Sequence, residues 1–205
     1  MIPALLVIAK APVPGRVKTR LCPPCTPEQA ARLARAALED TLAACDATGV
    51  RRRVLVFDGR PGAWLPRGWS VVPQRGDGLA ERLASAFADA GPGFLVGMDT
   101  PQLTPALLRR GLAALGGADA AFGPAEDGGY WGIGLRAPDA AAFAGVPMSR
   151  GDTGAHQRAR LRSLGLRTVD LPRLRDVDDI AAAHAAAAAA PGTRFAAALR
   201  AQVAA

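Results

Sequence analysis

Lysine is nearly absent from this chain of 205 residues: of its 25 Lys+Arg only Lys10 and Lys18 are lysine. Aromatic residues are scarce too, at 5%, and none alternates with the basic positions. A net charge of +7 without that interleaving lacks the stacking platform on which single-stranded nucleic acid binds. The arginines scatter along helix-forming segments (Arg32, Arg35, Arg109, Arg110, Arg158, Arg160, Arg162), and Arg51-Arg52-Arg53 is the one run. No nucleic-acid partner is expected.

Histidine is confined to His156 and His184, and neither belongs to a recognisable Ser-His-Asp or Cys-His grouping. Of the three cysteines, Cys22-Pro23-Pro24-Cys25 has the spacing of half a zinc site or of a redox pair. No second pair completes a tetrahedron, and a thioredoxin-like motif would open a helix in a different strand pattern. The two read as thiols in a turn before a helix. Long apolar runs are missing as well. The longest alanine tract, Ala181 to Ala190, is broken by His184 and is too short to cross a bilayer. Met1-Ile2-Pro3 leads into an apolar segment without a basic leader, so a cytoplasmic protein with no membrane partner is expected.

What is present is concentrated. Both lysines fall in Lys10-Ala-Pro-Val-Pro-Gly-Arg-Val-Lys-Thr-Arg-Leu21, directly after the apolar run Ala4-Leu5-Leu6-Val7-Ile8, which reads as a buried first strand. Lys10, Arg16, Lys18 and Arg20, with prolines at 12 and 14 and a bend at Gly15, suit a polyanion held at the carboxyl end of a strand. Backbone N–H groups near Gly15 would cradle phosphates beside these cations. The spacing is not that of a Walker A loop.

Downstream, strands and helices alternate, which predicts one α/β domain over 1–205 with a mostly parallel sheet covered on both faces. Thr26-Pro27-Glu28-Gln29 has the signature of a capped helix start, and the helix runs to about Ala47. Strands are expected at Val54–Phe57, Ser70–Pro73, Phe94–Met98, Ala120–Gly123, Tyr130–Leu135 and Arg167–Leu171. Helices are expected at Leu79–Ala90, Pro105–Leu115, Thr153–Leu164 and in the alanine-rich end.

Four further segments can carry chemistry. Asp99 sits just past the fourth strand, as a ligand for a hard cation or as a turn aspartate. In Asp176-Val177-Asp178-Asp179 one acid should cap the following helix, while Asp176 or Asp178 could join a metal site. Gly123-Pro-Ala-Glu-Asp-Gly-Gly-Tyr-Trp131 is either a hairpin turn or a segment closing over a small substrate, with Asp127 and Tyr130 as polar contacts. Gln74-Arg-Gly-Asp-Gly-Leu-Ala-Glu-Arg82 is either the capped start of a helix or a wall for a nucleobase.

In this order, the loop Lys10–Leu21, Gly76–Arg82, Gly97-Met-Asp-Thr-Pro-Gln-Leu103, Gly123–Tyr130 and Asp176-Val-Asp178 resemble the selenodomain-associated transferases. These are often labelled arsenosugar-biosynthesis glycosyltransferase-like, within the GT-A superfamily of nucleotide-diphospho-sugar transferases. The Lys18-Thr-Arg-Leu21 core and the helix after it are also similar to 2-phospho-L-lactate guanylyltransferase. Gly78-Leu79-Ala80 departs from the family's Asp-Leu-Gly at that place.

The resemblance implies a three-layer α/β/α GT-A (Rossmann-like) fold and Mg²⁺ or Mn²⁺ on Asp99 together with Asp176 or Asp178. With it, the expected site is as follows. Lys10, Pro14, Gly15, Arg16, Thr19, Gly76, Asp77 and Arg82 bind the nucleotide. Lys18 and Arg20 stabilise the leaving group, and Asp127 is the one visible general base. Gly128, Gly129 and Tyr130 shape the acceptor side. The expected reaction is nucleotidyl transfer from a nucleoside triphosphate to a small-molecule acceptor. Sugar transfer from a nucleotide-sugar is the alternative, and a non-catalytic nucleotide-binding module the second.

Overall fold

The computed structural model of the chain describes residues 3–203. Seven strands form one sheet: β1 (Ala4–Lys10), β2 (Arg53–Asp58), β3 (Trp69–Pro73), β4 (Gly93–Gly97), β5 (Ala120–Pro124), β6 (Tyr130–Leu135) and β7 (Thr168–Asp170). Their order is β3-β2-β1-β4-β6-β5-β7, and β6 alone runs antiparallel to its neighbours β4 and β5. The expected mostly parallel α/β sheet is therefore present, with one reversed strand where β5 and β6 make a hairpin.

Six α-helices accompany it, the last two packed on the outer side of the first: α1 (Pro27–Asp46), α2 (Leu79–Ala90), α3 (Pro105–Ala114), α4 (Thr153–Ser163), α5 (Ile180–Ala189) and α6 (Arg194–Val203). The two-residue period of the strands sorts the core into two faces. Leu5, Val7, Leu55, Phe57, Phe94 and Val96 point to the side of α1 and α3. Leu6, Val54, Val56 and Leu95 point to the side of α2 and α4, where they meet Leu83, Phe87, Phe143 and Leu161.

The first helix is apolar on two sides for a reason visible in its contacts. Ala31, Ala34, Leu38 and Leu42 face the sheet, whereas Ala30, Leu33 and Ala37 pack under Phe195 and Leu199 of α6. It starts with the expected capping box. The Gln29 backbone N–H donates to the Thr26 hydroxyl at 3.2 Å, and the Thr26 backbone N–H donates to the Gln29 side chain at 2.7 Å.

One irregularity prepares the functional edge. The β5–β6 register slips between Gly123 and Pro124, so that Gly123 pairs with Gly132, Pro124 with Tyr130, and Trp131 is left over. Such a bulge re-aims side chains. Trp131 turns into the α1/α3 face, edge-on to Phe94 at 5.7 Å, while Tyr130 joins the other face. Gly132 and Gly134 are small because the Phe94 ring lies where their β-carbons would be.

Candidate functional site

The carboxyl ends of β1, β2 and β4 lie at one edge of the sheet, together with the β5–β6 turn. In open α/β sheets this is where ligands bind. A cleft of ≈ 940 Å³ opens there, near the upper end of the roughly 300–1,000 Å³ usual for small-molecule sites.

Its first wall is the loop after β1. Along Arg16-Val-Lys-Thr-Arg-Leu21, Val17 and Leu21 are buried in separate apolar clusters. Anchoring them leaves the intervening Lys18, Thr19 and Arg20, and Arg16 just before them, to line the cleft, with Lys10 at the strand end. Pro14 and Gly15 shape the turn without lining the cleft. Lys18 adopts a left-handed backbone, φ 50 and ψ 37. Apart from glycines, only it and Ser149 (φ 60), also a cleft residue, do so among the described residues. A lysine there costs about 1–3 kcal/mol and persists only where the surroundings fix it.

What fixes it is visible. The Lys18 ammonium, with only 7% of its side chain exposed, is 2.5 Å from an Asp99 carboxylate oxygen. It also donates to the Val177 carbonyl. Arg20 pairs with Asp178 at 3.0 Å. Thus two of the four loop cations already hold carboxylates, whereas Lys10 and Arg16 have no ion-pair partner among the described residues.

A strap from Leu174 to Asp178 closes the site. Its backbone bonds to the ends of both β5 and β4. Leu174 N–H donates to Pro124 O at 3.1 Å, Glu126 N–H to Leu174 O at 2.9 Å, and Val177 N–H to Asp99 O at 2.9 Å. Gln102 donates to the Arg175 carbonyl at 2.5 Å, and Arg175 pairs with Glu126. Of the acids that follow, Asp179 is the helix cap, accepting from Ala182 N–H at 2.8 Å. That leaves Asp176 and Asp178 for the cleft.

These two meet Asp127. Each of the three offers a carboxylate oxygen within 4.8 Å of the others. Burial, first, and then the charges of Asp127 and Asp178 push the Asp176 carboxyl up to about 6, against a pull downward from its own backbone and Lys18. A set of hard oxygen donors crowded to this degree fits a divalent cation such as Mg²⁺ or Mn²⁺. The expected base, Asp127, therefore stands within the carboxylate group. Asp99, expected as a ligand with Asp176 or Asp178, is not part of that group and pairs with Lys18.

The opposite wall carries Asp77, Leu79 and Arg82 of the α2 start, but not Gly76. Gln74 is spent on structure: its amide donates to Ala9 O at 2.8 Å and its oxygen accepts from Arg82 at 3.3 Å. Arg82 also lies 3.8 Å from Asp58. On the far side, Gly129 lines the cleft, its N–H bonded to Asp127 at 2.7 Å, whereas Gly128 lies behind it. Gly128 has φ 88, and a β-carbon there would collide with the Gly151 carbonyl. Tyr130 contributes its ring rather than its hydroxyl. The hydroxyl donates inward to Gln157 at 3.3 Å, and burial raises its pKa.

The residues that sequence reasoning overlooked are Ser149, Arg150, Gly151 and Thr153, which complete the cleft at the start of α4. The signal was a run of Ser-Arg-Gly-Asp-Thr-Gly at a helix start, a composition suited to polar contacts that stands apart from the other motifs.

Residues 29–150 match the family described as "Uncharacterized protein conserved in bacteria (DUF2064)". No curated protein sequence matches the chain. Among solved structures, a protein of Desulfovibrio desulfuricans G20, provisionally named a nucleotide-diphospho-sugar transferase, is 29% identical. The match covers 87% of this chain and 84% of that one, with a TM-score of 0.77. A nucleotidyl transferase of Methanothermobacter (Mth528) shares the fold at 18% identity and a TM-score of 0.58, covering 88% of this chain and 94% of that one. So does Rv0371c of Mycobacterium tuberculosis H37Rv, at 21% identity and a TM-score of 0.52, covering 91% and 98%.

Proposed function

The chain belongs to the DUF2064 family, and from the geometry of its cleft we propose a divalent-metal-dependent transferase that uses an activated nucleotide. One observation carries the reading: the cationic loop after β1 and the carboxylates Asp127, Asp176 and Asp178 line the same cleft. Phosphates bring negative charge that Lys10 and Arg16 are free to meet, and Arg20 lies at its rim. The motif resemblance to selenodomain-associated transferases and the likeness to the Desulfovibrio protein point the same way.

The reaction we favour is nucleotidyl transfer. An acceptor oxygen bonds to the α-phosphorus of a nucleoside triphosphate, the bond to the bridging oxygen breaks, and pyrophosphate leaves with that electron pair. Cations placed before the reaction stabilise the charge that grows on the leaving group. Lys10 and Arg16 hold the phosphates, while Asp77, Leu79 and Arg82 lie on the nucleoside side. Asp127, Asp176 and Asp178 would hold the ion, which supplies charge neutralisation to phosphate oxygens when bound. Lys18 acts through Asp99 and the strap, keeping the carboxylates in register with the loop. A phosphate or carboxylate acceptor needs no general base. A hydroxyl acceptor gives its proton to a carboxylate of the cleft.

Sugar transfer from a nucleotide-sugar is the second reading, favoured by the name of the Desulfovibrio protein. The two are separated by incubating the protein with each nucleoside triphosphate and with a set of nucleotide-sugars, with and without Mg²⁺ or Mn²⁺. Melting temperature, pyrophosphate and nucleoside diphosphate are then measured. Metal-dependent stabilisation by a triphosphate, with pyrophosphate release, is the expected result. Diphosphate release from a nucleotide-sugar selects the second reading, and no stabilisation by either class of nucleotide overturns both.

A further inference from the structure

The cleft is cationic at two separate places. The first is the loop after β1, assigned above to the nucleotide. The second lies in the loop just before α4, where Arg150 lines the cleft with 62% of its side chain exposed. The loop that carries it is tied to the turn bearing Asp127: Gly154 N–H donates to the Gly128 carbonyl at 2.8 Å. Arg150 therefore sits on the wall adjoining the turn that bears Asp127.

Its guanidinium is aimed rather than spent. Asp152 accepts from Nε at 3.1 Å and from one terminal nitrogen, Nη2, at 3.3 Å, and it is steadied by His156 at 3.3 Å. The Arg150 backbone is fixed by a bond from its N–H to the Thr153 hydroxyl at 3.0 Å, which in turn donates to Pro147 O at 2.9 Å. Among the described residues Nη1 has no hydrogen-bond partner, and neither has the hydroxyl of the neighbouring Ser149, also a cleft residue. An arginine oriented by one carboxylate and left with a free donor edge suits a second, incoming oxyanion.

We propose that Arg150, with Ser149 beside it, recognises an anionic group on the acceptor, a phosphate or a carboxylate. The acceptor then lies between Arg150 and the Asp127 turn, with its nucleophilic oxygen turned toward the nucleotide. This rests on the nucleotide-transferase reading. It narrows the acceptor class to small anionic molecules and sets aside neutral sugars and lipids.

The test loads the protein with a non-hydrolysable nucleoside triphosphate analogue, so that the β1 loop is filled, and titrates inorganic phosphate and, separately, acetate by calorimetry. The expected result is one further anion site in the wild type, weakened at least tenfold in Arg150→Gln and partly restored in Arg150→Lys. Nucleotide affinity should be equal in all three. Preference for phosphate or for acetate tells which oxyanion the acceptor bears. Normal nucleotide binding with no further anion site, or with a site indifferent to Arg150→Gln, overturns this inference alone. Failure of the analogue to bind overturns the transferase reading on which it rests.

Discussion

At the scale of single residues, Lys18 unites backbone strain and charge. Two variants pull them apart. Lys18→Ala keeps the left-handed backbone cost and loses the ammonium, whereas Lys18→Gly relieves the cost and loses the ammonium too. Both should lower pyrophosphate release at least a hundredfold, and thermal unfolding should find the glycine variant more stable by about 1 kcal/mol. Equal activity in either variant removes the ammonium from the mechanism.

Asp176 gives a pH test with a definite sign. Its folded carboxyl titrates near 6, above the usual 3.8, so the folded state holds a proton that the unfolded state releases. Without metal, stability is therefore lost as pH rises from about 4 to 6 and stays low above that. Asp176→Asn removes this loss. At pH 8 in chelator it should be more stable than wild type by about 1–2 kcal/mol, a figure already reduced for partial exposure. It should also fail to gain melting temperature from Mn²⁺. Cys45 supplies an independent check of the core: burial pushes its thiol up to about 12. It should stay unreactive to a maleimide at pH 7.5 until the protein unfolds, while Cys22 or Cys25 reacts.

At the scale of elements, much was legible because local chemistry and tertiary position agree. The capping box at Thr26 and the helix Leu79–Ala90 stand where the residue pattern put them. The strand Phe94–Met98 is β4 shifted by a residue. The direction of β6 was not legible, because a strand of Tyr-Trp-Gly-Ile-Gly-Leu fits either sense until its neighbours are known. Nor was the meeting of Asp127 with Asp176 and Asp178. It depends on the strap bonding to the ends of β4 and β5, a contact between segments far apart in sequence. Local reasoning left Asp99 as a metal ligand or a turn aspartate, the resemblance gave it the metal, and neither could see Lys18 folded onto it. The β5–β6 turn can be probed directly. Gly128→Ala puts a β-carbon against the Gly151 carbonyl at a positive φ. A loss of about 2 kcal/mol and weaker metal binding through Asp127 are expected, read by melting with and without Mn²⁺.

At the scale of the whole molecule, the helices after the strap brace it. Asp40 of α1 accepts from the backbone N–H groups of Arg194 and Phe195, at 3.0 and 2.9 Å, and so seats the start of α6. Phe195 is buried beneath it. Phe195→Ala should cost about 3–5 kcal/mol in denaturant unfolding yet leave nucleotide affinity unchanged in the folded fraction, since the residue lies on the side of α1 away from the sheet. The strap has a consequence for ancestry. Two of the three clustered acids, Asp176 and Asp178, come after β7, and the basic loop ends before residue 29, so both lie outside the stretch 29–150 that matches the family, whereas Asp127 lies within it. Kinship read over 29–150 thus tracks the sheet and only part of the candidate site. A cousin could inherit all of that stretch, Asp127 included, and still lack the basic loop and the two later acids, so descent and chemistry must be traced separately in this lineage.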